Sequence, residues 1–202
     1  MERRAAEGRR SEGRWQEVLG GARRAFASLG YAQSTLEDVA NEVGISRAAL
    51  YYYVGTKEEL LVALLTGPIE TMRVRIDEIA TRDQPASRRL TDALRTYVDA
   101  MDELPELFIF LNENLHNVMF GPEAEHIRSN ADRYGQTLTA LIAEGMENGE
   151  FRSDLDAGAV MLGIIGMFNW THRWYDPSGP HTLEYFGNVF TEMALSSLAP
   201  TD

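Results

Sequence analysis

Glycine and proline divide this 202-residue chain at intervals that suit helices and not strands. Gly30, Gly44, Gly55, Gly67-Pro68, Pro85, Pro105, Gly121-Pro122, Gly149 and the run from Pro177 to Pro180 bound segments of roughly ten to twenty-five residues. Inside them apolar residues recur at steps of three and four: Trp15, Val18, Leu19, Ala22, Ala25, Phe26 and Leu29 in one, Leu90, Leu94, Tyr97, Val98 and Met101 in another. That period turns a single stripe inward on a helix. No segment keeps up the alternation of a half-buried strand, so the chain reads as all-α with about nine helices. Pro85, Pro105 and Pro122 fall where a first helical turn accepts them, because the missing N–H is unpaired there in any case. Pro68 interrupts what otherwise reads as one helix from Lys57 to about Thr81, which predicts a kink or break near Thr66 and Gly67.

With 44% hydrophobic and 25% charged residues, the chain can bury a core, which excludes wholesale disorder. The N-terminal "MERRAAEGRRSEGR" lacks the apolar run of a signal peptide, and "GAVMLGIIGMFNW" from Gly158 is too short to span a bilayer. The expectation is a cytoplasmic protein without a membrane partner. The absence of cysteine excludes disulfides, thiolate metal sites and cysteine nucleophiles. The formal charge of −12 is unevenly spread: residues 1–57 carry nine Arg or Lys against seven Asp or Glu, and the remainder ten against twenty-four. A weakly basic head on an acidic body suits a molecule that meets phosphate at one end only.

The stretch "STLEDVANEVGISRAALYYYV", Ser34 to Val54, carries the most chemistry. Thr35 can cap a helix whose first turn holds Glu37 and Asp38 against the macrodipole, with Leu36, Val39, Ala40 and Val43 as its buried face. Gly44 can end that helix in the left-handed conformation, and Ser46 can start the next. Two short helices around such a turn form a helix-turn-helix. Successive helical residues point about 100° apart. Leu50, Tyr53 and Val54 therefore face inward, whereas Arg47, Ala48, Tyr51 and Tyr52 face outward. That outward set suits a DNA groove: Arg47 offers a fork to a guanine edge, Ala48 permits close approach, and tyrosine hydroxyls reach phosphates. Lys57, the only lysine, would supply a point charge to another phosphate. The contact set is read as Thr35, Ser46, Arg47, Ala48, Tyr51, Tyr52, Tyr53 and Lys57. Arg3, Arg4, Arg9, Arg10 and Arg14 could form a minor-groove arm or a disordered one.

The run from Arg23 to Leu65 resembles the DNA-binding domain of TetR-family transcriptional regulators. Phe26, Gly30, Tyr31, Thr35, Val39, Ala40, Gly44, Ile45, Leu50, Tyr51, Tyr53, Lys57, Glu58 and Leu60 fall on that family's pattern, and Val54 stands where phenylalanine is common. The resemblance implies a three-helix head, residues 15–60 after a flexible basic arm at 1–14, and a ligand-binding and dimerisation domain at 61–202. It also implies a homodimer through the last two helices, here Asp154–Tyr175 and Leu183–Leu198, whose reading heads meet a near-palindromic operator about 34 to 36 Å apart. The expected activity is that of a repressor released from double-stranded DNA by a small hydrophobic effector.

For the effector, "WTHRWYDPSG" from Trp170 resembles the tail of members that answer to acyl-CoA or related lipid thioesters, which nominates Trp170, Arg173 and Trp174. The other reading has the tryptophans packing the dimer seam and Arg173 pairing with Asp176. Phe108, Asn112 and His116 form a second candidate wall, with Met167 as an adaptable lining. Regulation of drug efflux by aromatic or cationic compounds is the alternative function. A helical interaction module or an enzyme is a further one, but the four histidines are scattered and no phosphate loop occurs, so no catalytic residue, metal or cofactor is expected.

Overall fold

The computed structural model describes residues 2–104, 106–107 and 122–200. Among them the chain is helical without strands: α1 (Glu2–Leu29), α2 (Leu36–Val43), α3 (Arg47–Leu50), α4 (Lys57–Ala80), α5 (Ala86–Glu103), α6 (Pro122–Glu147), α7 (Ala157–Asn169), a 3₁₀ turn (Trp170–Arg173) and α8 (Leu183–Leu198). The candidate wall Phe108, Asn112 and His116 lies outside the described residues.

Two compact units divide at Thr66 and Gly67, six residues beyond the boundary expected from the sequence. In the first, the backbone of residues 2–14 is helical and continuous with α1, where a separate flexible arm was expected. The inward stripe of α1 is Val18, Leu19, Ala22, Ala25 and Phe26, while Leu29 is exposed. Gly21 lets α2 approach: a methyl group there would stand 2.3 Å from Val43 Cγ2. Arg24 ties the same pair of helices, Nε donating to Glu42 Oε2 at 2.9 Å and Nη2 to the Glu42 carbonyl at 3.0 Å.

The helix α4 has residues in both units and remains helical through Pro68, so the expected break does not occur. Proline cannot donate to the carbonyl of Leu64 four residues back. Hydroxyls on either side bond back into the helix instead, Thr66 to the Val62 carbonyl at 2.8 Å and Thr71 to the Gly67 carbonyl at 3.0 Å.

In the second unit, α5 packs against α6 and α8, and α7 against α6 and α8. The expected stripe of Leu90, Leu94, Tyr97, Val98 and Met101 is buried. The N-terminus of α5 is closed from a distance: Glu150 accepts from the N–H groups of Ala86 (2.8 Å) and Ser87 (3.0 Å) and from the Ser87 hydroxyl (2.7 Å). These bonds, the Ser87 N–H foremost, hold the Glu150 carboxyl below its ordinary range. An aromatic chain crosses the core, from Tyr134 stacked on Tyr97 at 5.2 Å, to Phe168 at 6.3 Å, to Phe190 at 5.6 Å.

Candidate nucleic-acid interface

Each short helix of the first unit is started by a side chain. Thr35 and Asp38 form a capping box: the Asp38 N–H donates to the Thr35 hydroxyl at 3.2 Å, and Asp38 Oδ2 accepts from the Thr35 N–H at 2.9 Å and hydroxyl at 2.7 Å. The hydroxyl bond is the main reason the Asp38 carboxyl sits below its usual range. Gly44, at φ 72° and ψ 36°, takes the left-handed conformation, and the Ile45 N–H reaches the Ala40 carbonyl at 3.0 Å to close α2. Ser46 then accepts from the Ala49 N–H at 3.2 Å.

The helix so started is one turn long. Tyr51 to Val54 continue it as turns, the Tyr53 and Val54 N–H groups both donating to the Leu50 carbonyl. The inward and outward sides are as the helical angle dictates for most residues. Leu50 and Val54 are buried and Tyr53 half-buried, while Arg47, Ala48, Tyr51 and Tyr52 are exposed, Tyr52 at 85%. Arg47 is not free-floating: its Nη2 donates to the Tyr51 hydroxyl at 3.1 Å, its guanidinium stands 5.4 Å from that ring's centroid, and Nη1 lies 3.8 Å from Glu37 Oε2. The Tyr51 bond is the chief cause that pushes the Arg47 pKa further up.

Lys57 is engaged within the head. Its ammonium donates to the carbonyls of Tyr31 (2.8 Å), Ala32 (3.2 Å) and Ser34 (3.2 Å), and it sits 4.6 Å from the centroid of the Tyr31 ring. An ammonium has three protons, so all of them serve the turn between α1 and α2, and none is left for a phosphate in this geometry. The hydroxyl of Thr35 is likewise occupied within its cap, and that of Ser46 within its own. The face that projects from the unit is therefore Arg47, Ala48, Tyr51 and Tyr52, with Tyr53 at its edge.

The four described effector candidates lie at the far end of α7. Met167 is half-buried, Trp170 and Trp174 are exposed, and Arg173 stands 5.8 Å from the Trp170 ring centroid. Asp176 does not pair with Arg173 as one reading had it; it accepts from the Ser178 N–H at 2.9 Å and hydroxyl at 2.7 Å. Trp174 packs edge-on against Phe186 at 4.9 Å. None of the four lines the groove of about 650 Å³ between α6 and α7, whose walls include Tyr134, Thr139, Met161, Leu162 and Ile165. The phenol of Tyr134 is buried without a hydrogen-bond partner, and burial pushes its pKa well up.

The model of the bacterial regulatory proteins of the tetR family matches residues 18–64, and that of the tetracyclin repressor-like C-terminal domain matches residues 83–198. The chain belongs to the TetR family. It is a DNA-binding transcriptional regulator of the helix-turn-helix class and not an enzyme. The HTH-type transcriptional repressor KstR2 of Mycobacterium tuberculosis is 25% identical over 182 residues, 90% of this chain and 91% of that protein. The solved structure of KstR2, described as a ketosteroid transcriptional regulator, superposes with a TM-score of 0.80 at 24% identity, covering 91% of this chain and 94% of the other. The FadR regulator of Bacillus subtilis, solved with stearoyl-CoA, gives 0.71 at 21% identity, covering 91% and 99%. AibR, solved with isovaleryl coenzyme A and operator DNA, gives 0.75 at 21% identity, covering 89% and 97%. No described helix is long and apolar enough to cross a membrane.

Among sequence-stretch features with consequences for the site, two gave little signal. Gly21 is an unremarked residue in a helix until Val43 is placed against it, and the target of Lys57 lies more than twenty residues away.

Proposed function

We propose that the chain is a homodimeric cytoplasmic repressor that reads a near-palindromic operator through Arg47, Ala48, Tyr51 and Tyr52 and leaves it when a CoA thioester or related lipid-like carboxylic molecule binds the second unit. The observation that carries the DNA reading is the sidedness of α3: Leu50 is fully buried behind an exposed arginine, alanine and two tyrosines. An ordinary solvated face would favour Glu, Lys and Gln there.

The dimer rests on α7 and α8. Within the chain α7 buries only Ile164 and Phe168, although most of its residues are apolar. Leu162 is 68% exposed, and Trp170, Tyr185 and Met193 are also open. A second copy would cover these side chains and place two reading faces on one duplex. The effector class is supported by the acyl-CoA ligands of FadR and AibR. Release follows if effector favours a state in which α4 is displaced, and linkage then requires DNA to weaken effector binding by the same factor.

The test is selection of a duplex from a random library by the protein, followed by titration of the complex with isovaleryl-CoA, stearoyl-CoA, free CoA and an aromatic cationic dye. Enrichment of a two-half-site sequence supports the reading, and release by a thioester but not by free CoA or the dye supports the effector class. Failure to enrich any sequence sinks the reading; release by the dye alone sinks the effector class.

A further inference from the structure

A carboxylate on a surface meant for DNA needs an explanation, because DNA repels it. Glu37 lies in the first turn of α2, where its charge suits the helix dipole, yet its side chain is two-thirds exposed and stands 3.8 Å from Arg47 Nη1 on the face described above. Asp38, beside it, already serves the helix end through Thr35. The other side of the same guanidinium is held by the Tyr51 hydroxyl and ring. Arg47 is thus drawn toward α2 by charge alone, at ion-pair and not hydrogen-bond distance, and one of its five N–H donors is used, which leaves four for a base edge.

The geometry points to Glu37 as a positioning residue for sequence recognition: it orients the Arg47 fork between α2 and α3 and, by its charge, weakens contact with phosphates out of register. This rests on Arg47 being a base reader. Two physical effects follow from the one contact. Restraining a long side chain before binding lowers the entropy lost when its fork docks. Keeping a negative charge beside that fork makes the face a poorer general polycation, and binding to random DNA is mainly electrostatic. Discrimination then comes from disfavouring the wrong sites as much as from favouring the right one.

The experiment uses the full chain, a duplex selected by the wild-type protein, and a random-sequence duplex of equal length, with dissociation constants measured across a salt series. E37Q should tighten the random duplex by about threefold to tenfold and the selected one by less than about twofold. E37D keeps the charge on a shorter arm, so it should leave random binding weak while relaxing preference at the base pair that Arg47 reads. R47A should abolish that preference, and adding E37Q to R47A should relax it no further. Circular dichroism melting of each variant shows that the head is folded. Equal tightening of both duplexes by E37Q, or an E37D protein with wild-type base preference, overturns the inference while leaving Arg47 as reader. An R47A protein that keeps wild-type preference at every position sinks the reading and the inference together.

Discussion

Among the described residues, two surfaces that expose aromatic rings differ in what accompanies those rings. At α3, Tyr51 and Tyr52 come with Arg47 and Glu37, and the arginine is already held by a hydroxyl, a ring and a carboxylate. Along α7, the 3₁₀ turn after it and α8, Leu162, Trp170, Tyr185 and Met193 form an exposed set that is largely apolar, with Arg173 standing 5.8 Å from the Trp170 ring centroid. Aromatic exposure alone does not name a partner. Charge and hydrogen-bonding tips suit a hydrated, charged ligand such as a duplex, whereas bare apolar area suits a surface that excludes water.

The largest expected effect tests the apolar side of this contrast. Leu162→Asp combined with Met193→Asp should convert the protein to monomer in sedimentation velocity and weaken binding to the selected duplex by at least about thirtyfold, the scale of losing a central interface anchor. A double variant that still sediments as dimer would place the interface elsewhere. The next prediction sharpens the polar side. Lys57→Ala should lower the stability of the head by about 1.5 to 3 kcal/mol, the range for hydrogen bonds to a charged group, seen as a lower denaturation midpoint. It should leave the salt dependence of DNA binding unchanged; a slope reduced by about 0.9 would instead return Lys57 to the phosphates.

The smallest effect is one of pH. Bonds from Ser87 and Ala86 depress the folded pKa of Glu150, so its contribution is present above the unfolded value of about 4.3 and is lost as pH falls through the lower folded value. Glu150→Gln should therefore flatten the loss of stability between roughly pH 5 and pH 3. An unchanged slope there would show that the carboxylate does not govern the start of α5.

What could be read ahead of the structure was local. Thr35, Gly44 and Ser46 act within a few residues of themselves, and helical angle alone sets Leu50 apart from Ala48 and Tyr52. The same reasoning failed where the deciding atom lies far along the chain. Lys57 resembles a phosphate ligand by position, but its ammonium meets three carbonyls from residues 31–34. Glu150 caps a helix more than sixty residues earlier, and the closeness of Gly21 to Val43 requires two helices to be already packed. The tyrosines after α3 keep helical spacing while the backbone tightens into turns, which spacing alone does not reveal. The effector side was less legible still: a tryptophan-rich tail can be named from its letters, but the residues that converge with it depend on packing between helices.

The proline in α4 bears on how motion would travel. A rung of that ladder is missing from the outset, since residue 68 has no amide hydrogen to offer, and the threonines on either side clip their own turns without bridging the gap. Bending is therefore easiest at that turn, and the helix is stiffer on either side of it.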